Sequence, residues 1–534
     1  MTRIILITLL LFFTNAARGD VLPEQTLVLA NRESTDSMVL AFYYMKTRGI
    51  PDKNLISLPL GKEEEISWDK FSNTLWNPLL DKLVKSGWMS GNLVKNTDKA
   101  GRSRLRNPTN KVGYLVLCKD VPLRIEEDSQ YNDHAPASPP PAQFIRTVAA
   151  VDSELATLAM PAARITSFVP NPLFAPSGTL PASARQSVMH VARLDGPTLD
   201  DCRKLVENAV LAERRGLSGR AYVDIGGPHA QGDAWLRETA TLLRKTGFDL
   251  TTEENRGMLL DYDKRADAPA FYFGWYAAHI AGRFADPKLR FVPGAIALHI
   301  HSFSASTLRS TSRGWAGPLV ARGATTTFGN VAEPYLELTT IPPLFLAFVL
   351  NGAQVGEAYV ASTPVWSWQT ILIGDPLYKP TLFTFKQQLE GIENASDSEY
   401  NLHGGTYVSL RYANLLLARN KFSEAQTVLA GALRRHPSLP LSFALAQIAK
   451  YPSLAWDSHD KTAQADIGLL IEIAHYLKEN SLEHDATELY ALILKRDASL
   501  PSPIRKRLRE EYDALLANLE ARVRNISPKK AEEK

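Results

Sequence analysis

Cysteine is scarce in this sequence: only Cys118 and Cys202 occur among 534 residues. Cys118 lies in the apolar run YLVLCKD, which predicts a buried strand, and Cys202 lies in a segment with a helical pattern. A chain of this length buries enough apolar surface to fold without disulfides. We therefore expect two buried thiols, neither of them catalytic. The sequence also lacks CxxC, HExxH and P-loop motifs, which excludes the sites that those motifs build.

Long apolar runs are lacking as well. The apolar run at residues 4–13 has 10 residues, whereas a bilayer-spanning helix needs roughly 20. Arg3 precedes this run, and small residues follow it at Ala17 and Gly19, which is the order found in a cleavable signal peptide. We expect residues 1–19 to be removed from a periplasmic or secreted protein that has no membrane span after cleavage. The alternative is an uncleaved N-terminal anchor.

A strong charge of either sign is also missing, because the formal net charge is +3. A general attraction to nucleic acid is therefore not expected, and we predict no nucleic-acid partner. The hydrophobic fraction of 45% and the aromatic fraction of 9% indicate a globular protein with a substantial core.

Short β-rich runs alternate with longer helical runs up to about residue 380. This alternation predicts an α/β fold with a parallel-leaning sheet flanked by helices. The predicted strands are residues 26–30, 54–60, 112–118, 188–194, 220–225, 271–275, 295–300, 324–329 and 370–373. Proline-rich residues 134–143 and irregular residues 169–187 predict exposed loops. We divide this region into an N-terminal α/β subdomain, residues 20–187, and a second α/β subdomain, residues 188–388.

The strand signals stop near residue 389, and a short polar segment at residues 391–398 predicts a domain boundary. Residues 399–534 then form an all-helical domain in which residues 417–440 recur loosely as residues 477–501. Ala425 corresponds to Ala486, and each copy ends in Leu-Pro, as stacked helical hairpins require. The segment resembles tetratricopeptide-type repeats, which implies a surface for a protein partner or a cap on the neighbouring domain.

Polar and small residues end four apolar runs between residues 271 and 380. These runs are FYFGWYAAH, FVPGAIALHIHSFSAST, RGATTTFGNVAEPY and ILIGDPLYKP. In an open α/β sheet the functional site lies at the carboxyl ends of the strands. The four segments therefore predict one pocket.

Over most of residues 26–380 the chain resembles an uncharacterised family of exported bacterial proteins. The order of landmarks in residues 112–380, from RLDGPTLDDC and GRAYVDIGG to the closing GDP, is more distantly similar to the gingipain-type cysteine peptidases. That resemblance implies a caspase-like fold with a catalytic His after one strand and a catalytic Cys after the next. Here Trp275 and Tyr276 follow Gly274 where the His belongs, and residues 301–304 (HSFS) stand where the Cys belongs. A Cys–His dyad needs both groups, so a standard cysteine peptidase is disfavoured.

Two classes of function follow. In the first, a hydrolase uses Ser302 or Ser304 as the nucleophile, with His301 or His279 as the base that a serine needs. His299 is two residues from His301, so both should share one face of a strand. Such a pair can also ligate a metal if Glu333 or Asp375 approaches.

In the second class, which we favour, the chain is a non-catalytic descendant of a peptidase. Trp275, Tyr276 and Phe303 would form aromatic walls of a cleft for a peptide or a glycan, with Glu333 as a polar contact. A protein partner would bind the C-terminal helices. We expect neither a cofactor nor a metal at this site.

The signal-peptide pattern generates a first prediction. Protein recovered from its native compartment should begin near Asp20, because a signal peptidase reads the small residues Ala17 and Gly19. N-terminal sequencing of the exported protein measures this directly. An intact Met1 on exported material would contradict the prediction.

Overall fold

The computed structural model describes residues 20–132, 141–160, 164–176, 185–254, 261, 263–402, 404–456, 465–496 and 500–526. The predicted signal peptide, residues 1–19, lies outside this part of the chain. Residues 134–140 of the predicted proline-rich loop and residues 177–184 of the second predicted loop also lie outside it.

Ten strands form one sheet that crosses both predicted α/β subdomains. The strands are β1 (Thr26–Asn31), β2 (Leu55–Leu58), β3 (Tyr114–Cys118), β4 (Val191–Leu194), β5 (Arg220–Asp224), β6 (Asp249–Glu253), β7 (Pro269–Gly274), β8 (Ile296–His299), β9 (Thr326–Asn330) and β10 (Thr370–Gly374). Their order in the sheet is β6-β5-β7-β8-β9-β10-β4-β3-β1-β2. The predicted α/β class with a mostly parallel sheet is confirmed.

The inner strands are buried over their whole length, and helices cover both faces of the sheet. The α-helices of six or more residues in this region are α1 (Thr35–Arg48), α2 (Asn77–Lys85), α3 (Leu199–Arg215), α4 (Ala230–Lys245), α5 (Ala316–Ala321), α6 (Pro342–Leu350) and α7 (Val355–Ser362). Helices α1, α3 and α5 pack on one face, and α2, α4, α6 and α7 pack on the other. Strands buried on both faces are nearly continuous apolar runs, which is why the sequence predicts the eight inner strands. The half-buried edge strand β2 is also predicted, from its mostly apolar sequence LISL. Strand β6 escapes prediction because it is a half-buried edge strand of sequence DLTTE.

Strand β10 runs against its neighbours in the middle of the sheet. It pairs antiparallel with β9 and meets β4 at one residue pair, Arg193 with Ile373, whose local geometry is of the parallel type. Contacts beyond the strand ends nevertheless show its direction. Tyr378, after β10, donates to the carbonyl of Gly294, before β8, at 2.9 Å. The carboxyl end of β10 therefore lies at the amino edge of β8.

The other strands end at one common edge. Arg309, in the segment after β8, forms an ion pair at 2.8 Å with Asp120, which follows β3. Arg124, also after β3, donates at 3.3 Å to the carbonyl of Val331, immediately after β9. The carboxyl ends of both halves of the sheet thus face the same side, where sites of α/β proteins form.

Both cysteines are free and buried in the core on the α1 face. Burial raises the pKa of each thiol, with a smaller contribution from Asp195. Both side chains are therefore protonated at neutral pH. The prediction of two buried thiols is confirmed.

Helices alone follow the last strand in the described part of the chain. They are α8 (Phe385–Asn394), a short helix at Asp397–Tyr400, α9 (Gly405–Leu417), α10 (Phe422–Arg435), α11 (Leu439–Ala449), α12 (Ile467–Glu479), α13 (Glu483–Arg496) and α14 (Ser502–Ile526). The predicted all-helical region is confirmed, and the paired residues Ala425 and Ala486 are both fully buried. The polar segment at residues 391–398, where we predict the domain boundary, is mostly helical. No helix in the described residues is long and apolar enough to span a membrane.

The helical region is docked on the amino edge of the sheet. Arg411 of α9 stacks between the rings of Phe248 and Phe385, 4.1 and 4.3 Å from their centroids, and burial lowers its pKa to about 10. Arg283 pairs with Asp466 at the start of α12. These contacts hold the helices against the segments that precede β6 and β8.

A buried carboxylate, Asp267, links the two regions electrostatically. It accepts from Arg265 at 2.7 Å, from Arg220 at 3.4 Å and from the Tyr407 hydroxyl at 2.9 Å. Burial would raise the pKa of Asp267, but the charges of the two guanidinium groups outweigh burial and lower it. The carboxylate therefore contributes stability that is present above the unfolded pKa, near 3.9, and is lost as the pH falls below it.

Substitution Asp267→Asn should lower the free energy of unfolding by about 3–5 kcal/mol at pH 7, because it leaves two buried guanidinium groups undercompensated. Lys386→Ala is the control, since it removes an exposed pair with Glu390 and should change stability by less than about 0.5 kcal/mol. Urea unfolding followed by circular dichroism measures both. Equal effects of the two substitutions would contradict the buried network.

Candidate functional site

A cavity of about 620 Å³ opens at the carboxyl ends of β5, β7, β8 and β9. Side chains from the segments after all four strands form its walls. They are His229, Gln231, Trp275, Tyr276, Ile300, His301, Ser302, Asn330, Glu333, Pro334, Tyr335, Leu336, Glu337 and Thr339. Strands β7 and β8 are parallel neighbours with Gly274 opposite His299, as the sequence predicts for the two strand ends.

The Trp275 indole fills the space between β7 and the start of α4. Its ring lies so close to Gly227 and Gly232 that a Cβ on either would come within 2.2 and 1.9 Å of it. Its Nε1–H donates to Asp233 Oδ1 at 2.9 Å, and the same oxygen accepts the N–H groups of Gly226 and Gly227. Burial would raise the pKa of Asp233, but the three hydrogen bonds outweigh that effect and lower it. Trp275 is therefore a fixed, buried wall with no basic nitrogen.

Tyr276 follows Trp275 and is the exposed aromatic side chain at the cavity. Its ring is 46% exposed and lies 4.4 Å from the ring of His301, centroid to centroid. The next residue, Ala277, is held on both sides: its N–H donates to His299 Nε2 at 2.9 Å, and its carbonyl accepts from the Trp315 indole at 2.7 Å. The backbone that carries Tyr276 is thus fixed by two buried side chains.

His299 has a structural role and does not line the cavity. Its ring stacks on Trp315 with centroids 3.6 Å apart, and Nδ1 is 2.9 Å from the Tyr272 hydroxyl. Burial, and to a smaller extent His301, lowers the pKa of His299 well below its usual range. The ring is therefore neutral, with Nε2 accepting from Ala277. The strand ends at His299, so the two-residue period does not extend to His301, which lines the cavity while His299 does not.

His301 and Ser302 form the polar side of the cavity together with Glu333. Nδ1 of His301 is 2.5 Å from the carbonyl oxygen of Ser302, which can only accept, so Nδ1 carries a proton. In the neutral ring Nε2 is then an acceptor, with no hydrogen-bond partner among the described residues. The Ser302 hydroxyl donates to Glu333 Oε2 at 2.6 Å, and Glu333 Oε1 accepts the N–H of Tyr335 at 3.0 Å.

The hydrogen bond to Glu333 directs the Ser302 hydroxyl proton toward a carboxylate oxygen. An efficient general base has a pKa near the operating pH and lies within hydrogen-bond reach of the proton it removes. Within the described part of the chain, no imidazole forms a hydrogen bond with the Ser302 hydroxyl. Nor do the described residues contain a group of three or more His, Cys, Asp or Glu side chains that could hold a metal ion.

Three of the predicted site residues lie away from the cavity. Ser304 is buried, and its hydroxyl accepts the N–H of Asn330 at 3.0 Å, so it is part of the core beside β9. His279 is exposed, and its Nδ1 accepts the N–H of Gly314 at 3.1 Å. Phe303 is 48% exposed and is absent from the cavity walls. The turn at residues 302–305 causes the departures of Phe303 and Ser304, because the two-residue period of a strand no longer applies there.

Sequence reasoning missed several wall residues, above all His229 and Gln231 before and within α4. The His229 ring lies 6.2 Å from the Trp275 ring. The segment GGPHAQGD after strand β5 carried the same signal as the predicted site segments, namely a buried strand that ends in glycine and a polar side chain. Glu337 was missed because it lies beyond the predicted segment RGATTTFGNVAEPY, whose last residue, Tyr335, does line the cavity.

A larger cavity, about 690 Å³, lies at the opposite edge of the sheet, beside α7 and the amino ends of β1 and β3. We assign the site to the carboxyl edge because the walls there come from four strand ends. Sites of parallel α/β sheets form at that edge.

No family model and no curated protein matches the chain. A solved structure described as "Structure of Protease" is similar with a TM-score of 0.35 and 10% sequence identity, over 68% of this chain and 80% of that chain. At that TM-score and identity, the likeness says nothing about the chemistry of this chain.

Gly232→Ala tests the packing of the Trp275 indole. In a helix, Ala is ordinarily favoured over Gly by about 1 kcal/mol, but at Gly232 the added methyl meets the ring and should destabilise the fold by about 1–3 kcal/mol. Gly431→Ala in α10 is the matched control, since its Cβ has 3.9 Å to its nearest neighbour and should stabilise. Urea unfolding midpoints compare them. If both variants were more stable than the native chain, the indole would not be packed against Gly232.

Proposed function

We propose that this chain is an exported protein of caspase-like fold that binds a peptide or a glycan at the carboxyl edge of its sheet and does not cleave it. The resemblance to gingipain-type peptidases puts the catalytic His and Cys after two successive strands, which correspond to β7 and β8. Here the ends of those strands carry Trp275 and the segment from His301 to Ser302. The cleft would therefore lie where a peptidase of this type has its active site, but it would lack the catalytic His and Cys.

The observation that carries the proposal is the hydrogen bonding of the three central side chains. The Trp275 indole donates to Asp233, so it supplies neither a base nor a nucleophile. The Ser302 hydroxyl donates to Glu333, and His301 directs its Nδ1–H to a backbone carbonyl. A serine nucleophile requires an adjacent base to accept its proton, and no imidazole is bonded to Ser302. Aromatic walls with a few polar groups remain, which is the composition of a binding cleft.

One observation favours a second candidate, a serine hydrolase. Ser302 and His301 line the same cavity, and Nε2 of His301 has no hydrogen-bond partner among the described residues. Rotation of the His301 ring toward the hydroxyl would then create the pair that hydrolysis needs. The alternative uses Ser302 alone as nucleophile, because Ser304 is buried.

For the C-terminal helices we propose contact with a protein partner, as for stacked helical hairpins in general. Their docking on the amino edge of the sheet leaves the opposite side of the helices for that contact. Export to the periplasm or the exterior follows from the predicted signal peptide.

A serine-directed phosphonate probe separates the two candidates. We expect no labelling of the full chain, because the Ser302 hydroxyl is held by a carboxylate. Ser302→Ala is the specificity control, and a commercial serine hydrolase confirms that the probe is active. Labelling of the native chain that disappears in Ser302→Ala would overturn the binding proposal in favour of the hydrolase.

A further inference from the structure

We infer that the ligand of this cavity is a neutral oligosaccharide, with one sugar ring stacked on Tyr276 and its hydroxyls donating to the side chains opposite. The inference rests on the proposed binding function and names the chemical class of the ligand. Three features of the cavity carry it: a fixed aromatic platform, a lining rich in acceptors, and the absence of Lys and Arg from the described walls.

The platform is the Tyr276 ring. An aromatic ring that is 46% exposed at a cavity offers an apolar face with a polar tip, which suits an amphipathic ring such as a sugar. The Ala277 peptide is fixed by His299 on one side and by Trp315 on the other. A platform on a fixed backbone favours binding because less conformational freedom is lost when the ligand binds.

The side chains of Glu333, Glu337 and His301 supply mainly hydrogen-bond acceptors to the cavity. Glu333 has two carboxylate oxygens with about four acceptor sites, and the contacts with Ser302 and Tyr335 use two of them. Glu337 is exposed and supplies a second carboxylate. Nε2 of His301 is another acceptor when the ring carries its single proton on Nδ1. A ligand for this lining must bring donors, and sugar hydroxyls are donors that carry no charge.

The same lining discriminates against other ligands. Acidic sugars, phosphates and acidic peptides would place negative charge beside Glu333 and Glu337, and like charges across an interface are unfavourable. A peptide backbone alternates a fixed donor with a fixed acceptor, so its carbonyls would also face the carboxylates, whereas a sugar hydroxyl can rotate to present its proton. A lysine-rich peptide supplies donors as well, and it is the competing ligand that the experiment must separate.

The experiment measures binding of the full chain to defined probes by calorimetry. The neutral probes are cellotetraose, maltotetraose, mannotetraose and chitotetraose; tetragalacturonate is the acidic sugar, and tetralysine and tetra-alanine are the peptides. We expect at least one neutral oligosaccharide to bind, and tetragalacturonate and both peptides to bind at least about tenfold more weakly.

Variants then locate the bound sugar. Tyr276→Ala should weaken binding about tenfold, the size of one lost aromatic contact, whereas Tyr276→Phe should stay within about threefold because it keeps the platform. Phe303→Ala is the matched control, since Phe303 is equally exposed, at 48%, but lies outside the cavity walls. Its affinity should be unchanged. Urea unfolding of each variant shows that the fold is retained.

The outcomes separate this inference from the proposed function. Binding of tetralysine alone, weakened by Tyr276→Ala, overturns the oligosaccharide and leaves a binding cleft in place. Binding of tetragalacturonate alone, or sugar binding that Tyr276→Ala leaves unchanged, also overturns the inference. Phosphonate labelling of Ser302 overturns the binding function itself. If none of the four neutral oligosaccharides binds, the inference is wrong.

Discussion

The Trp275 indole N–H donates to the Asp233 carboxylate, whose same oxygen accepts two backbone N–H groups from Gly226 and Gly227. This hydrogen bonding joins the end of β7 to the loop after β5 and to the start of α4. Only glycine at Gly227 and Gly232 leaves room for the ring. Because the buried Trp275 ring is held in one position, the backbone at Tyr276 is held as well. The aromatic side of the cavity therefore depends on the packing of Trp275.

The other side of the cavity is held from the far half of the sheet. The segment after β8 carries His301 and Ser302 near its start, and contacts of its later residues hold it in place. Arg309 pairs with Asp120, and the hydroxyl of Thr307 donates to Glu64 at 2.6 Å. Residues from the first strands therefore fix a loop that belongs to the second half of the sequence. The walls of the cavity come from the second half of the sheet, and the first half supports them from outside.

Much of the fold follows from sequence because strands buried on both faces are apolar over their length. The edge strand β6 does not follow, since its half-buried residues share no apolar run. At the site, the strand-end rule correctly brings Trp275, His301 and Glu333 to one cavity. It fails for Ser304 and Phe303 because they lie in a turn, where side chains no longer alternate between two faces. The geometry of a turn depends on hydrogen bonds, such as the one that the Asn330 N–H donates to the Ser304 hydroxyl. His229 was missed although its strand end carried the same signal.

The direction of the strands also separates the cavity from the helical region. The cavity lies at the carboxyl ends of β5 and β7, whereas Arg220 and Asp267, at or before the amino ends of the same strands, hold the helices through Tyr407. A strand of five residues is about 17 Å long, so the two surfaces are separated by about one strand length. A ligand at one edge and a protein on the helices would therefore not compete for the same surface. Any influence of one on the other would have to pass through buried strands, which are among the least deformable parts of a protein.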